Sequence, residues 1–178
     1  MNLKMIELVD GYSLDKHISL VNYYRKWLKV TKENVVSEAT YKRYLLSIKI
    51  FEECFGNIDI KDIDLISYRQ FLKNYGKGLF GKNKINPPRT NSTVSKLHSC
   101  LRQGFQTAIE QGLIKHDPTI NAKPLGYKEA QRNDEKYMNE TELKNLIKYV
   151  KDKPSLSYLC VYILIITGSR FTPIRKMY

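Results

Sequence analysis

Apolar residues return at every third or fourth position in four successive segments of this chain, and each segment is bracketed by residues that start or stop a helix. The first spans about Asp15 to Val30, with Leu20, Tyr23, Tyr24, Trp27 and Leu28 on one side. The second takes Ser37 as its N-cap, turns Tyr41, Tyr44, Leu45, Ile48, Phe51 and Phe55 inward, and stops at Gly56. Asp62 or Asp64 opens the third, whose stripe of Leu65, Tyr68, Phe71, Leu72 and Tyr75 runs up to Gly76. After a polar loop with Gly78, Gly81, Pro87 and Pro88, the fourth begins near Asn91 or Ser92. It presents Val94, Leu97, Leu101, Phe105, Ala108 and Ile109, and ends at Gly112. A stripe on one face of a helix is buried by packing against its neighbours. Strand alternation is nearly absent through residue 120, so four stripes in a row predict a mainly α chain whose first half is a compact four-helix bundle.

The remainder has a different texture. Residues 121–136 contain Pro124, Gly126 and a dense set of charges from Lys123 to Lys136, which leaves little to bury and reads as a linker. Tyr137-Met138 reads as a short extended piece. Asn139 and Glu142 then form a capping-box pair ahead of a helix that buries Leu143, Leu146, Ile147 and Val150. Pro154-Ser155 separates that helix from a last one, apolar on nearly every face from Leu156 to Ile166, which ends in Thr167-Gly168-Ser169-Arg170. A helix broken by glycine with an arginine at its tip can fix a guanidinium against an anion such as phosphate; the same residues also suit a plain C-cap with a dipole-complementing cation. A helix apolar all round needs neighbours on all sides, so the second half reads as an unfinished domain. The organisation expected is an extension over 1–14, a helical domain over 15–120, a linker over 121–136 and a domain fragment over 137–178.

Thirty Lys and Arg against eighteen Asp and Glu give a formal charge of +12, the sign and size that suit a polyanionic partner, double-stranded DNA before a membrane surface. The one long apolar run is eleven residues, short of the roughly 20 that span a bilayer, and Met1 to Tyr12 mixes Lys4, Glu7 and Asp10 into its apolar residues, unlike a secretory leader. A cytoplasmic protein with no membrane partner is expected. Cys54, Cys100 and Cys160 are far apart, each inside an apolar helical pattern, and read as core thiols. His17, His98 and His116 share no ligand spacing, so neither metal nor cofactor is expected, and nothing points to a small-molecule substrate.

From Arg69 to Arg102 every charged residue is a cation: Arg69, Lys73, Lys77, Lys82, Lys84, Arg89, Lys96 and Arg102. Such a stretch would neutralise several phosphates and release counterions. The start of the fourth helix adds Thr90, Asn91, Ser92 and Thr93, short donors at a helix N-terminus, with Lys96, Ser99 and Arg102 further along. On the second helix Thr40, Lys42, Arg43 and Lys49 lie off the apolar stripe. Asn91, Thr93, Lys96, Ser99 and Arg102, together with these four and Arg89, are the candidate DNA-binding residues, with two helices facing one duplex.

The order of features resembles the tyrosine recombinases, the phage-type integrase family. Its second helix often opens Ser-x-x-Thr-x-x-x-Tyr, here Ser37, Thr40 and Tyr44; its fourth closes with an aromatic-x-x-Ala, a Gly and an Asp-Pro pair, here Phe105, Ala108, Gly112 and Asp117-Pro118. A Tyr-Met-x-x-x-Glu-Leu opening of the catalytic domain matches Tyr137, Met138, Glu142 and Leu143, and Thr167 to Arg170 matches Thr-Gly-x-Arg. The resemblance implies a SAM-like core-binding bundle of four to five helices, then a linker and the first helices of a catalytic domain. It implies DNA cleavage and rejoining through a 3′-phosphotyrosine without metal or nucleotide, by protomers that assemble on DNA, in a prophage or mobile element. Arg170 would be the first catalytic arginine, holding non-bridging phosphate oxygens.

The chain departs from that pattern. Pro173 stands where the family usually has an acid, no His-x-x-Arg occurs, and Tyr178 follows Arg170 too closely to be the family's nucleophile, so the chain as given is expected to be catalytically incomplete. Two other readings remain open: an interaction protein that docks its apolar last helix on a recombinase or on its own copy, and a helical transcription regulator.

Overall fold

Where an apolar stripe meets a capping residue, the chain forms a helix. The computed structural model describes residues 17–81 and 85–169, and the chain divides into two units between Ala130 and Gln131. Four long helices belong to the first: α1 (Leu20–Lys32), α2 (Glu38–Phe55), α3 (Leu65–Lys77) and α4 (Asn91–Glu110). Two belong to the second: α5 (Glu140–Lys151) and α6 (Leu156–Thr167). The mainly α architecture with a four-helix first half is as the periodicity predicts. Among the described residues no helix is long and apolar enough to cross a membrane.

Ser37, Asp64 and Thr90 cap α2, α3 and α4, each side chain accepting the N–H three residues on. Helix α1 begins later than expected. Asp15 lies outside the described residues, and residues 17–19 are non-helical because the Ile18 N–H donates to the Asp59 carboxylate at 2.8 Å. The Leu20 and Ile60 N–H groups complete this crossing, donating to the carbonyls of Ile58 at 2.9 Å and Ile18 at 3.0 Å. Helix α3 runs through Gly76, the expected stop, and ends instead at Gly78, which is left-handed at φ 82°.

Helix α4 is the hub of the bundle. Aromatic side chains from the other three helices bury their rings and direct their polar tips onto it. The Tyr23 and Tyr24 hydroxyls donate to the carbonyls of Gly104 at 3.0 Å and Leu101 at 2.6 Å, and the Trp27 indole N–H donates to Thr107 at 3.1 Å. From α2 the Tyr44 hydroxyl donates to Gln103 Oε1 at 2.9 Å, and from α3 the Tyr68 hydroxyl lies 3.0 Å from His98 Nδ1. Gly104 is required by this packing, since a Cβ there would overlap the Tyr24 ring. Around it Tyr24, Phe51 and Phe105 meet edge to face, with centroids 5.5–6.0 Å apart.

Some expected inward residues are not inward. Leu45 is 43% exposed, because the buried stripe of α2 runs Tyr44, Ser47, Ile48, Phe51 and Leu45 is one residue off it. Of the three cysteines expected in the core, Cys100 is buried, Cys54 is exposed on the outer side of α2, and Cys160 is half-buried.

Residues 121–128, read in the sequence as the front of a linker, lie along the bundle. The N–H groups of Tyr127 and Lys128 both donate to the Arg89 carbonyl, at 2.9 and 3.0 Å, and Ala122 is buried. Gly126 sits against the first turn of α4: a Cβ there would strike the backbone of Arg89, Thr90 and Asn91.

In the second unit Asn139 and Glu142 form both arms of the expected capping box, at 2.8 and 2.9 Å. Of the four residues expected to be buried on α5, Val150 is, Leu146 and Ile147 are half-buried and Leu143 is exposed. Helix α6 ends at Gly168, left-handed at φ 60°, and none of its residues is buried.

Candidate nucleic-acid interface

Side chains of α2 and α4 that point away from the core meet at an open groove of about 300 Å³. Thr40 and Arg43 come from α2, and Ser92, Ser95, Lys96, Ser99 and Gln103 from α4; Tyr44 and Cys100 form the floor. The α4 set recurs at three- and four-residue steps, which keeps it on one face of the helix. Among the described residues two cations, four aliphatic hydroxyls and an amide line its walls, and no carboxylate does. Larger depressions on this unit differ in chemistry: one of about 770 Å³ beside Tyr23, Trp27 and Val30 carries a single lysine, and one of about 380 Å³ beside Ile60 and Pro118 includes Asp64 and Asp117.

Thus four of the ten candidate residues, Thr40, Arg43, Lys96 and Ser99, come together. The others go elsewhere. Lys42 pairs with Glu38 one turn back at 2.6 Å, and Lys49 is exposed further along α2. Arg89 lays its guanidinium over the rings of Phe80 and Tyr75, 5.3 and 5.9 Å from their centroids, and its Nε is buried without a hydrogen-bond partner. Asn91 accepts the Gly126 N–H, and the Thr93 hydroxyl lies 3.0 Å from that of Thr90, so the first turn of α4 is occupied by the chain itself. Arg102 acts on the opposite neighbourhood: burial, and then the Arg102 charge, hold the His98 imidazole below its ordinary value against a smaller pull from Asp117. Of the eight cations in the acid-free run, only Lys96 lines the groove; Lys77 lies over the Tyr127 ring at 5.2 Å, and Lys82 and Lys84 fall outside the described residues. Arg170, Pro173 and Tyr178 also lie outside them.

Sequence reading missed Ser95, Gln103 and Tyr44 as groove residues, while Ser92, read as a phosphate donor at the start of α4, does line the groove. The signal available was their three- and four-residue spacing from Lys96 and Ser99. It also missed Lys32, whose ammonium sits 5.5 and 5.6 Å from the Trp27 and Tyr44 ring centroids behind the groove. Burial raises the Tyr44 hydroxyl above the ordinary tyrosine value, so it stays protonated as the donor to Gln103. Among the described residues no three His, Cys, Asp or Glu side chains are grouped so as to hold a metal ion.

Residues 19–123 match the family model of the phage integrase SAM-like domain. No curated protein sequence matches the chain. Among solved structures, a phage integrase fragment from Staphylococcus saprophyticus is similar at 27% identity and a TM-score of 0.52, over 65% of this chain and 99% of that one. The N-terminal domain of the prophage pi2 integrase from Lactococcus lactis is similar at 24% identity and 0.53, over 62% and 95%. A lambda integrase dimer bound to a COC′ core site shares the fold at 16% identity and 0.68, over 96% of this chain; the chain spans 44% of that integrase.

Proposed function

Since the chain belongs to the phage integrase SAM-like domain family, we propose that its first unit is the duplex-gripping module of a site-specific tyrosine recombinase of a phage or other mobile element. The observation that carries this reading is the acid-free groove between α2 and α4. Arg43 and Lys96 supply charge for two phosphates, while Thr40, Ser92, Ser95 and Ser99 supply the short neutral donors that position a protein on a sugar–phosphate backbone. In support, the lambda integrase structure it resembles is a dimer on a core-site DNA. Under this reading the core-binding domain runs through the packed 121–128 segment, and the linker shortens to the residues from about Gln131 to Lys136. Residues 137–178 are then the front of a catalytic domain, with Arg170 its first catalytic arginine, acting in the cytoplasm among other recombinase protomers.

Duplex binding measured by fluorescence anisotropy across a salt series tests it. Affinity is expected to fall steeply with ionic strength. Arg43→Glu and Lys96→Glu are each expected to weaken binding at least tenfold and to lower the salt slope by about one. Unchanged affinity in both variants would remove the groove from the DNA-binding surface. A second reading, docking of α6 on another protein, is favoured by one observation, the absence of any buried residue on that helix.

A further inference from the structure

The floor of the groove is crossed by a single hydrogen-bonded bar. Tyr44, 7% exposed on α2, donates its hydroxyl to Gln103 Oε1 on α4 at 2.9 Å, and Gln103 Nε2 donates back to the Ser99 carbonyl at 3.2 Å. The Tyr44 ring cannot swing away, because the Trp27 ring packs edge-on against it at 5.8 Å. Arg43 precedes Tyr44 in α2, and Ser99 lies one turn before Gln103 in α4, so the bar ties together the two walls that carry the charge and the hydroxyls. Its acceptor is neutral. A carboxylate could accept the same bond but would set a negative charge between Arg43 and Lys96.

We propose that Gln103 is a positioning residue of this groove: through Tyr44 it sets the spacing between Arg43 on α2 and Lys96 on α4 at which both can meet one duplex. The proposal rests on reading the groove as a DNA-binding surface. Each amide end of Gln103 makes a bond within the protein, Oε1 with Tyr44 and Nε2 with the Ser99 carbonyl, and the role assigned to it runs through Tyr44. It differs in this from Ser92, Ser95 and Ser99, whose hydroxyls make no hydrogen bond among the described residues.

Four variants of the full chain test it, with duplex affinity, salt slope and melting temperature read together. Gln103→Met and Tyr44→Phe remove the bar from either side while keeping volume. Each is expected to weaken binding about fivefold and to lower the salt slope as one cation loses its phosphate, with little change in melting temperature. The double variant is expected to bind no worse than either single one, since both lose the same bond. Gln103→Glu keeps an acceptor for Tyr44 but gives up the donor to the Ser99 carbonyl, so it should melt slightly below the parent yet lose more affinity than Gln103→Met. Wild-type affinity and slope in the Met and Phe variants, alongside loss of binding in Arg43→Glu and Lys96→Glu, would overturn this proposal and leave the groove standing. An affinity loss that only tracks a lower melting temperature, with the slope intact, would overturn it in favour of a plain structural role. Unchanged binding in the two charge reversals would take the groove reading and this proposal down together.

Discussion

Helices α4 and α6 make opposite use of apolar residues. Helix α4 is amphipathic, mixing serines, threonines and cations with its stripe, and eight of its residues are buried; α6 is apolar almost throughout and has none. Hydrophobic content therefore does not specify packing. A stripe with polar flanks defines one face, one set of neighbours and one register, whereas a helix apolar all round asks for contacts on every side. The same contrast separates the units: twenty-four residues form one connected core in the first, and among the described residues Val150 alone is buried in the second.

The comparison breaks most readily by removing one large apolar side chain from each helix. Phe105→Ala, at a site with no exposure, is expected to cost about 4 kcal/mol, read by denaturation followed through Trp27, the only tryptophan and a residue of the first unit. Leu159→Ala, at a site 48% exposed, is expected to cost under about 1 kcal/mol and to leave the Trp27 transition unmoved. Equal costs would mean that α6 sits in a packed core after all. Gly104→Val drives a branched side chain into the Tyr24 ring and is expected to cost about 2–3 kcal/mol, visible in the same transition.

A smaller effect sharpens the contrast from the other side. Asn139→Ala removes one arm of the α5 capping box and is expected to cost about 1 kcal/mol, seen as lost helicity by circular dichroism with the Trp27 transition in place. The smallest concerns pH. His98 is held below its ordinary value, so the folded state binds its proton less readily than the unfolded state does. Stability of the first unit is then complete above about pH 6.5 and declines as pH falls toward the folded-state value. Denaturation midpoints at successive pH values should show this decline in the parent and a flatter profile in His98→Gln.

Much of the fold was legible in the sequence because helix period and capping are local. Ser37, Gly56, Asn139 and Gly168 bound their helices as read. The errors arose where a distant segment decided the outcome: Asp59 delays the start of α1, and the 121–128 segment lies along the bundle, with Gly126 against the start of α4. The candidate site was legible only in part, for the same reason. Arg89 looks like a phosphate ligand in an acid-free run until Tyr75 and Phe80 are brought beneath it. Ser95 looks like an ordinary helix-surface residue until Thr40 and Arg43 face it.

The amino-acid order alone determined which long helices form among the described residues, where most of them stop and which stripes demand cover, since those properties depend on neighbours within a turn or two. Only the tertiary structure decided which outward side chains share a groove and which cations lie over rings. The groove joins faces far apart along the chain, as in Tyr44 reaching Gln103 across 59 positions, and no local pattern encodes which two faces will meet.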